Sequence, residues 1–449
     1  MKTCSGNLAM QSNNITITAK QVSVRTLDKV FVWCIMMGAA FAKWYTVPGI
    51  SLGDILVASI LIILITRLFM GNFSLKKYHS LLYVALLWFW ALGGALFLIN
   101  ASPFYFSEEE FAKSFLKLSF YGISTVFLLS YLRKIPGNIT RNLLLNVLMI
   151  NALIAIYIYL VMAFELSLPY KFFWFNQPEY ISSYYRGTDI VVARGIFNEP
   201  SLLGVFQNLG LAYLLFSHNS KLKLFDWKYL IIILSILLSL SYIAYSLLVL
   251  NLVLYLVREK KIYLRSVITN LLLLVTLITV VATLMIPQVL EKGVVSRTFK
   301  IFYGMDDSAN ARILGSWEPA LKFIKDSPFF AAGLGNFDIA QIGIGSTFRY
   351  MSIFDEPEQG FNIFAYVLGT LGVVGFCIFI LFITDLIIHA RLTGIVFVAA
   401  MFASGNFLDP SFWIFYCLFT IHTRRKKMAK QIHLSWGAQE QAIRPGIKM

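Results

Sequence analysis

Long apolar runs separated by short charged stretches dominate the chain, and most of them approach the roughly 20 residues that an α-helix needs to cross a bilayer. Such runs predict transmembrane helices rather than half-buried strands. The pattern therefore predicts an all-α integral membrane protein with about 12 transmembrane helices. The predicted segments are 29–47, 51–69, 80–99, 113–132, 142–165, 197–217, 228–241, 243–257, 266–287, 361–385, 393–406 and 409–422.

Composition supports the same class. Of the 449 residues, 58% are hydrophobic and only 14% are charged, which is far more apolar than a soluble globular domain. Residues 1–28 are polar and lack the early apolar region of a signal peptide, so they predict a cytoplasmic tail. The predicted organisation is this tail, a membrane domain over 29–422 and a second cytoplasmic tail over 423–449.

Basic residues cluster between alternate apolar segments. The clusters are Arg67, Lys76 and Lys77; Arg133, Lys134 and Arg141; Lys221, Lys223 and Lys228; Arg258, Lys260, Lys261 and Arg265; and Arg424, Arg425, Lys426 and Lys427. The positive-inside rule then places both termini in the cytoplasm and two sizeable loops, 166–196 and 288–360, outside. The second loop holds seven basic and nine acidic side chains, so the net charge of +15 reflects membrane orientation and not a nucleic-acid surface.

The stretch 228–257 tests this topology, because basic clusters flank both of its ends. The chain must then cross twice or re-enter, and the serines and tyrosines of LSLSYIAYS (238–246) mark the predicted reversal. Non-helical backbone inside a membrane is tolerated where protein shields it or where it lines a wet cavity. We therefore expect this hairpin to border a substrate cavity, and one long tilted helix is the alternative.

Cysteine and histidine positions narrow the chemistry. Cys34, Cys377 and Cys417 lie in apolar segments, and all five histidines map to the cytoplasmic side or its membrane edge. The outer loops therefore hold no expected disulfide, zinc site or histidine base, and we predict no metal and no cofactor. The sequence has no phosphate-binding P-loop and no inverted repeat, which disfavours an ATP-driven pump.

A first charged patch, VARGIFNEPSLLG (192–204), stands at the start of a predicted membrane helix. Asn198 is a candidate N-cap, Pro200 suits a first helical turn, and the dipole stabilises Glu199 there. Capping alone explains these three residues. It explains Arg194 less well, because a guanidinium near the positive end of a helix needs an anion, either Glu199 or a ligand phosphate.

Two further patches lie in the second outer loop. SANARILGSWEPALKFI predicts an amphipathic helix with Arg312 near its start and with Ile313, Trp317, Ala320, Leu321 and Ile324 on one face. SPFFAAGLGNF then breaks the helix, and Gly333 and Gly335 permit either an ordinary turn or the close approach of backbone to another group. DEPEQGFN (355–362) brings Glu358 and Asn362 to the next helix start, where capping and substrate binding both remain open.

The order of these motifs resembles a known family. ARGIFNEPSLLG, NARILGSWEPAL, SPFFAAGLGNF and GFNIFAYVLGTLGVVGF together are similar to the O-antigen polymerase and ligase superfamily, most closely the Wzy-type polymerases of bacterial surface polysaccharide synthesis. The resemblance covers about residues 190–376 and the overall topology. It implies a fold like that of GT-C-type membrane glycosyltransferases, in the bacterial cytoplasmic (inner) membrane.

The resemblance also implies a reaction. The family acts on polyprenyl-pyrophosphate-linked oligosaccharides at the outer face of that membrane, with a flippase and a chain-length regulator as partners in the pathway besides the lipid bilayer. The implied catalytic carboxylates are Glu199 and Glu358. The residues expected to bind pyrophosphate or glycan are Arg194, Arg312, Asn198, Gly333, Gly335 and Asn362.

One position departs from the ligases of the superfamily. Their stretch corresponding to GFNIFAYVLGTLGVVG carries a histidine just before the asparagine, where this chain has Phe361 before Asn362. This difference favours a polymerase and leaves its base unassigned. A ligase, a polysaccharide flippase or other transporter, and a non-catalytic scaffold remain the alternatives.

Overall fold

The architecture comes from a computed structural model of the chain, which describes residues 26–42, 44–47, 50–76, 78, 80–101, 103, 106–174, 184, 191–216, 226–259, 307–337, 362–402 and 408–421. Helices make up most of this part. They are α1 (Thr26–Ala40), α2 (Leu52–Phe69), α3 (Ser80–Ala101), α4 (Glu108–Leu132), α5 (Gly137–Ala163), α6 (Pro200–Phe216), α7 (Trp227–Leu238), α8 (Tyr242–Glu259), α9 (Asp307–Asp326), α10 (Ile363–Ala390), α11 (Leu392–Met401) and α12 (Pro410–Ile421). A small antiparallel pair, β1 (Tyr45–Val47) and β2 (Ile50–Ser51), joins α1 to α2.

Five helices of the described part, α2, α3, α4, α5 and α10, are long and apolar enough to cross a membrane. The chain thus has the predominantly helical, apolar character expected of an all-α membrane protein. The segment predicted over 266–287 lies outside the described residues, and each other predicted segment overlaps a helix. The count of about 12 spans remains a prediction, because α7, α11 and α12 are too short to cross a bilayer as straight helices.

Polar side chains define where several helices begin. Ser51 and Asp54 form a capping box at α2, in which the Ser51 hydroxyl accepts from the Asp54 N–H at 3.1 Å and the Asp54 carboxylate accepts from the Ser51 N–H at 2.8 Å. At the start of α4 the Ser107 hydroxyl accepts from the Glu110 N–H, and at the start of α7 the Asp226 carboxylate accepts from the Lys228 N–H. These side chains accept hydrogen bonds from backbone N–H groups that have no carbonyl partner within the helix.

Basic residues gather at one end of the bundle, which we call the basic end. Arg67 at the end of α2 pairs with Asp28 at the start of α1 at 3.2 Å, and Tyr131 near the end of α4 donates to the same carboxylate at 2.9 Å. Arg141 at the start of α5 donates to the Tyr229 hydroxyl at the start of α7. The described members of these clusters, such as Arg67, Arg141 and Arg258, thus lie at one end, which agrees with the prediction that they share one side of the membrane.

The reversal predicted within 238–246 is confirmed. Helix α7 ends at Leu238, Leu240 has φ of +47°, and α8 begins at Tyr242. The α8 helix runs parallel to α6, since Ala244 lies against Gly204 and Arg258 donates to the Leu215 carbonyl. Helix α7 therefore rises from the basic end and α8 returns to it.

Helix α12 forms the centre of the bundle. All of its residues except Ser411 are buried. Its aromatic side chains reach four other helices, and the ring pairs are Trp413 with Tyr121 of α4, Phe415 with Phe206 of α6, Tyr416 with Phe382 of α10, and Phe412 with Phe397 of α11. The core thus sits around a short helix that lipid does not reach.

Helix α10 is not straight. Gly372 has φ of +67°, a conformation that favours glycine, and the ring centroids of Phe364 and Phe379 are only 5.9 Å apart. In an unbroken helix the Cα atoms of these residues would be separated by about 22 Å along the axis. Residues 363–371 therefore form a short half-helix that folds back along 373–390, which corrects the single predicted span over 361–385.

Candidate functional site

The segment that carries Arg194 lies inside the bundle. Residues 191–197 are all buried, and the Arg194 side chain is only 1% exposed. Its guanidinium Nη1 donates to the Asn198 carbonyl at 3.3 Å. The sequence placed 191–196 in an outer loop, whereas the structure packs this part of the loop between helices.

Contacts with α5 give the depth of this segment. Gly195, with φ of +60°, packs on Ala155 of α5, while Gly210 of α6 packs on Leu148. The two helices therefore run antiparallel, and Gly195 lies eight residues before the end of α5 at Ala163, or about 12 Å below it. Arg194 is therefore buried in the half of the bundle opposite the basic end.

Helix α6 begins at Pro200, which confirms proline as its first residue. The N-cap position therefore belongs to Glu199, and the prediction that Asn198 caps the helix is wrong. The Asn198 Oδ1 atom is buried and accepts no hydrogen bond from the described residues. The Glu199 carboxylate accepts from the Ser201 hydroxyl at 2.8 Å. Glu199 and Asn198 thus both lie within one turn of the α6 start, beside the Arg194 segment.

Asn362 is the N-cap of the half-helix 363–371. Its Oδ1 accepts from the backbone N–H groups of Phe364 at 2.9 Å and of Ala365 at 3.3 Å, and the residue is 4% exposed. The capping interpretation of Asn362 is confirmed, so substrate contact by this oxygen would compete with the helix. Phe361, immediately before it, and Glu358, four residues before it, lie outside the described residues.

Helices α6 and α12 run side by side in the same direction, since Tyr213 of α6 also contacts Phe419 of α12, so their starts lie at about the same level. Phe206 of α6 contacts Phe415 of α12, with ring centroids 5.7 Å apart. Phe364 of α10 reaches α12 through a chain of ring contacts, from Phe379 to Phe382 and from Phe382 to Trp413 at 6.3 Å. The N-terminal end of a helix carries partial positive charge, so the start of α6 at Pro200 favours an anion near Arg194.

Arg312 lies in the second turn of α9, and its side chain is outside the described residues. Ala320 of α9 packs on Gly369, and Phe329 packs on Gly372 three residues further along α10. Helix α9 and the half-helix 363–371 therefore run in the same direction. Arg312 precedes Ala320 by eight residues and Asn362 precedes Gly369 by seven, so each lies roughly 11–12 Å from this contact along its own helix.

The amphipathic helix predicted around Arg312 is confirmed, but its buried face differs from the prediction. Ser316, Ala320 and Phe323 are buried, whereas Leu321 is 53% exposed. Ala320 and Phe323 pack against the turn after α9 and against the half-helix, with Phe323 and Phe337 in an edge contact. The tertiary contacts of the half-helix, which the sequence did not predict, rotate the buried face toward these residues.

Gly333 and Gly335 adopt the positive φ values, both +83°, that the break after α9 requires. The close approach that they permit is to protein. A Cβ on Gly335 would overlap the Glu110 carbonyl of α4, and one on Gly333 would lie 2.8 Å from Leu98 of α3. Asn336 anchors the same turn, since its Oδ1 accepts from the Ser107 N–H at 2.7 Å. These glycines position α9 against the bundle, and a direct contact of theirs with substrate stays a prediction.

Sequence reasoning missed a set of amide side chains between α5, α6 and α8. The set is Asn151, Gln207, Asn208 and Asn251, all at most 2% exposed. Isolated amides within an apolar run are the signal that would have found them, because polar groups inside a membrane are costly and usually functional. Among the described residues, no three His, Cys, Asp or Glu side chains come together to form a candidate metal site.

Neither the models of known protein families nor the curated proteins give a match to this chain. The likeness to the O-antigen polymerase superfamily therefore rests on the four quoted motifs alone. The structure packs SPFFAAGLGNF against α3, α4 and α10, and it places Ala320 of NARILGSWEPAL against Gly369 of GFNIFAYVLGTLGVVGF.

Proposed function

We propose that this protein is a membrane glycosyltransferase that polymerises polyprenyl-pyrophosphate-linked oligosaccharide repeat units into O-antigen or a related surface polysaccharide. The observation that carries the proposal is the burial of Arg194 just before the start of α6, inside a predominantly apolar bundle. The reaction belongs to the outer face of the bacterial cytoplasmic membrane, where lipid-linked repeat units are the substrates.

A buried guanidinium has a defined use in this reaction. The acceptor hydroxyl attacks C1 of the donor sugar, the bond from C1 to the pyrophosphate oxygen breaks, and negative charge develops on the leaving pyrophosphate. Arg194 would bind that charge with a planar, bidentate fork, and the start of α6 would add its partial positive charge. Such prearranged groups stabilise a transition state without a metal ion.

The acceptor hydroxyl must lose its proton. Glu199 is the described carboxylate beside the Arg194 segment, and its hydrogen bond to Ser201 fixes its orientation at the start of α6. Glu358 is the second candidate base, on the strength of its place in the sequence, five residues before the half-helix. Arg312, in the second turn of α9, and Asn362, at the start of the half-helix, would hold the glycan or the second pyrophosphate.

One structural observation favours a second candidate function. Interrupted helices with short re-entrant halves, such as α10 at Gly372, also form the substrate sites of secondary transporters. A flippase for the same lipid-linked oligosaccharide would use the same chemistry to bind pyrophosphate and would make no glycosidic bond. Product analysis therefore separates the two functions.

The test uses purified protein in lipid vesicles supplied with lipid-linked repeat units. The wild-type protein should form longer lipid-linked glycans, and Arg194→Ala should lower turnover by about 10²- to 10³-fold, the usual cost of removing one group that stabilises a transition state. Arg194→Lys should recover activity partly, because it keeps the charge and loses the fork. Arg133→Ala, at the basic end, is the matched control and should polymerise normally.

Two outcomes would contradict the proposal. Movement of repeat units across the vesicle membrane without chain growth would identify a flippase. Normal chain growth by Arg194→Ala, at equal amounts of folded protein, would remove Arg194 from the reaction.

A further inference from the structure

Asn151 and Gln207, the amide side chains between α5 and α6, have hydrogen-bond partners for their nitrogens but not for their oxygens. Asn151 of α5 donates its Nδ2 to the Val147 carbonyl at 3.0 Å, and Gln207 of α6 donates its Nε2 to the Leu148 carbonyl at 3.1 Å. Val147 and Leu148 are consecutive residues of α5, so the two amide groups bind to successive carbonyls of one helix. The two side chains are therefore neighbours across the interface between α5 and α6.

The oxygens of both amides are left without donors. Asn151 Oδ1 and Gln207 Oε1 are buried and accept no hydrogen bond within the part of the chain that the structure describes. The residues themselves are 2% and 0% exposed. Because each NH₂ group must face the carbonyl to which it donates, exchange of nitrogen and oxygen would break a hydrogen bond and cannot repair the deficit. Buried polar atoms of native proteins nearly always have a partner, which is an ordered water where protein offers none.

We propose that one ordered water molecule bridges Asn151 Oδ1 and Gln207 Oε1 between α5 and α6. A water molecule has two O–H donors, which match the two acceptor oxygens. A metal cation would need several more oxygen ligands than these two side chains supply. A substrate hydroxyl is excluded by burial, since neither residue is accessible from the surface.

The bridge gives α6 polar contacts on two faces. On its other polar face, Asn208 donates to the carbonyls of Gly204 at 2.8 Å and Ala244 at 2.9 Å, and Asn251 donates to the Asn208 carbonyl at 3.1 Å. Helix α6 is thus held to α8 by direct amide contacts and to α5 through water. This inference stands apart from the proposed function, because it concerns the packing of α6 and not its chemistry.

The first test is a double-mutant cycle on the full-length protein in lipid, with reversible unfolding as the readout. Asn151→Leu and Gln207→Leu should each lower stability, and the double variant should lose less than the two effects combined, by about threefold or more in the unfolding equilibrium constant. The control cycle combines Asn151→Leu with Asn251→Leu, which share no water, and should be additive. Additivity in the first cycle would overturn the proposal.

The second test detects the water itself in the wild-type protein. Radiolysis by X-rays turns a bound water into hydroxyl radical, which should oxidise Leu148 beside the site, and prior exchange into H₂¹⁸O should label the product. Leu64 of α2, fully buried on a helix that carries no amide side chain, is the reference and should stay unmodified. An unmodified Leu148, or a label that persists in Asn151→Leu, would contradict the bridge. A change in stability on replacing sodium chloride by choline chloride would indicate a cation instead, and would also overturn it.

Discussion

The backbone N–H of Ala193 donates a hydrogen bond to the carbonyl of Leu238 at 2.9 Å. This bond joins the segment that carries Arg194 to the last residue of α7, at the reversal before α8. The position of the buried arginine therefore depends on a hairpin whose two ends lie at the basic end of the bundle.

The hairpin predicts the sidedness of its flanks. In a background without the native cysteines, Lys228→Cys and Glu259→Cys should both react with a membrane-impermeant maleimide from the cytoplasmic side only. Phe172→Cys is the control, because Phe172 is 60% exposed in the short 3₁₀ turn after α5 and should react only from outside. If positions 228 and 259 reacted from opposite sides, the result would contradict the hairpin and support one long tilted helix over 228–257.

Reporter fusions test the two loops independently. A reporter that is active only in the outer compartment should be active when it is fused after residue 180 or after residue 330. The positive-inside rule places both loops in that compartment. A fusion after residue 135, between α4 and α5 at the basic end, should report the cytoplasm. A cytoplasmic signal at 180 or 330 would refute the topology.

Arg312→Ala should lower polymerisation at least about a hundredfold, if this guanidinium also stabilises charge on a leaving pyrophosphate. Lysine at the same position should restore part of the rate. Lys322→Ala is the matched control on the same helix, since Lys322 is half-exposed and pairs only with Glu318 at 3.0 Å among the described residues. Turnover of the alanine variant equal to that of the control would exclude Arg312 from the reaction.

Gly335→Ala should destabilise the protein by roughly 2–4 kcal/mol, because overpacking adds to the cost of an L-residue at positive φ. The added methyl group would overlap the Glu110 carbonyl of α4. Gly93→Ala is the control, because a Cβ there meets no atom within 4 Å and alanine is the better helix former. The measurement is the unfolding midpoint in lipid. Unchanged stability with lost activity would instead indicate that Gly335 contacts the substrate.

Polymerase and ligase differ in what cells accumulate. Deletion of the gene should remove only the ladder of longer glycans and leave single repeat units on their final acceptor, or on the lipid carrier in a capsule pathway. The expectation follows from Phe361, where a ligase of the superfamily has histidine. Full-length chains on the carrier with none on the acceptor would identify a ligase. Gel analysis of surface glycan beside the carrier-linked pool distinguishes the two patterns.

The sequence predicted those parts of the fold that depend on local chemistry. The reversal before α8 followed from flanking charges, the break after α9 from glycines, and the start of α10 from Asn362. The fold-back at Gly372 was missed, because both halves of α10 are equally apolar and hydropathy carries no information about direction. Periodicity failed for Leu321 of α9 since the buried face is set by the half-helix that packs on it.

The candidate site was predictable only in its parts. Arg194 stood out because a guanidinium is unexpected at a helix start, yet its depth follows from Gly195 packing on Ala155, a long-range contact that no local pattern encodes. The N-cap was predicted one residue too early, at Asn198, because asparagine is the commoner N-cap residue. Pro200 is the first residue of α6, so the N-cap position falls on Glu199. The amides of α5, α6 and α8 were visible in the sequence, but their pairing depends on helix register.

The central position of α12 has a consequence for biosynthesis. This helix follows every other described helix in the chain, and it is too short to be held in lipid as an independent span. The helices that are synthesised earlier therefore enter the membrane before α12, around which they pack. Until α12 is made, their inner aromatic faces contact lipid or the insertion machinery. Assembly of the bundle is then a late, concerted event, and chains interrupted before Pro410 would present those unfilled faces to quality-control proteases.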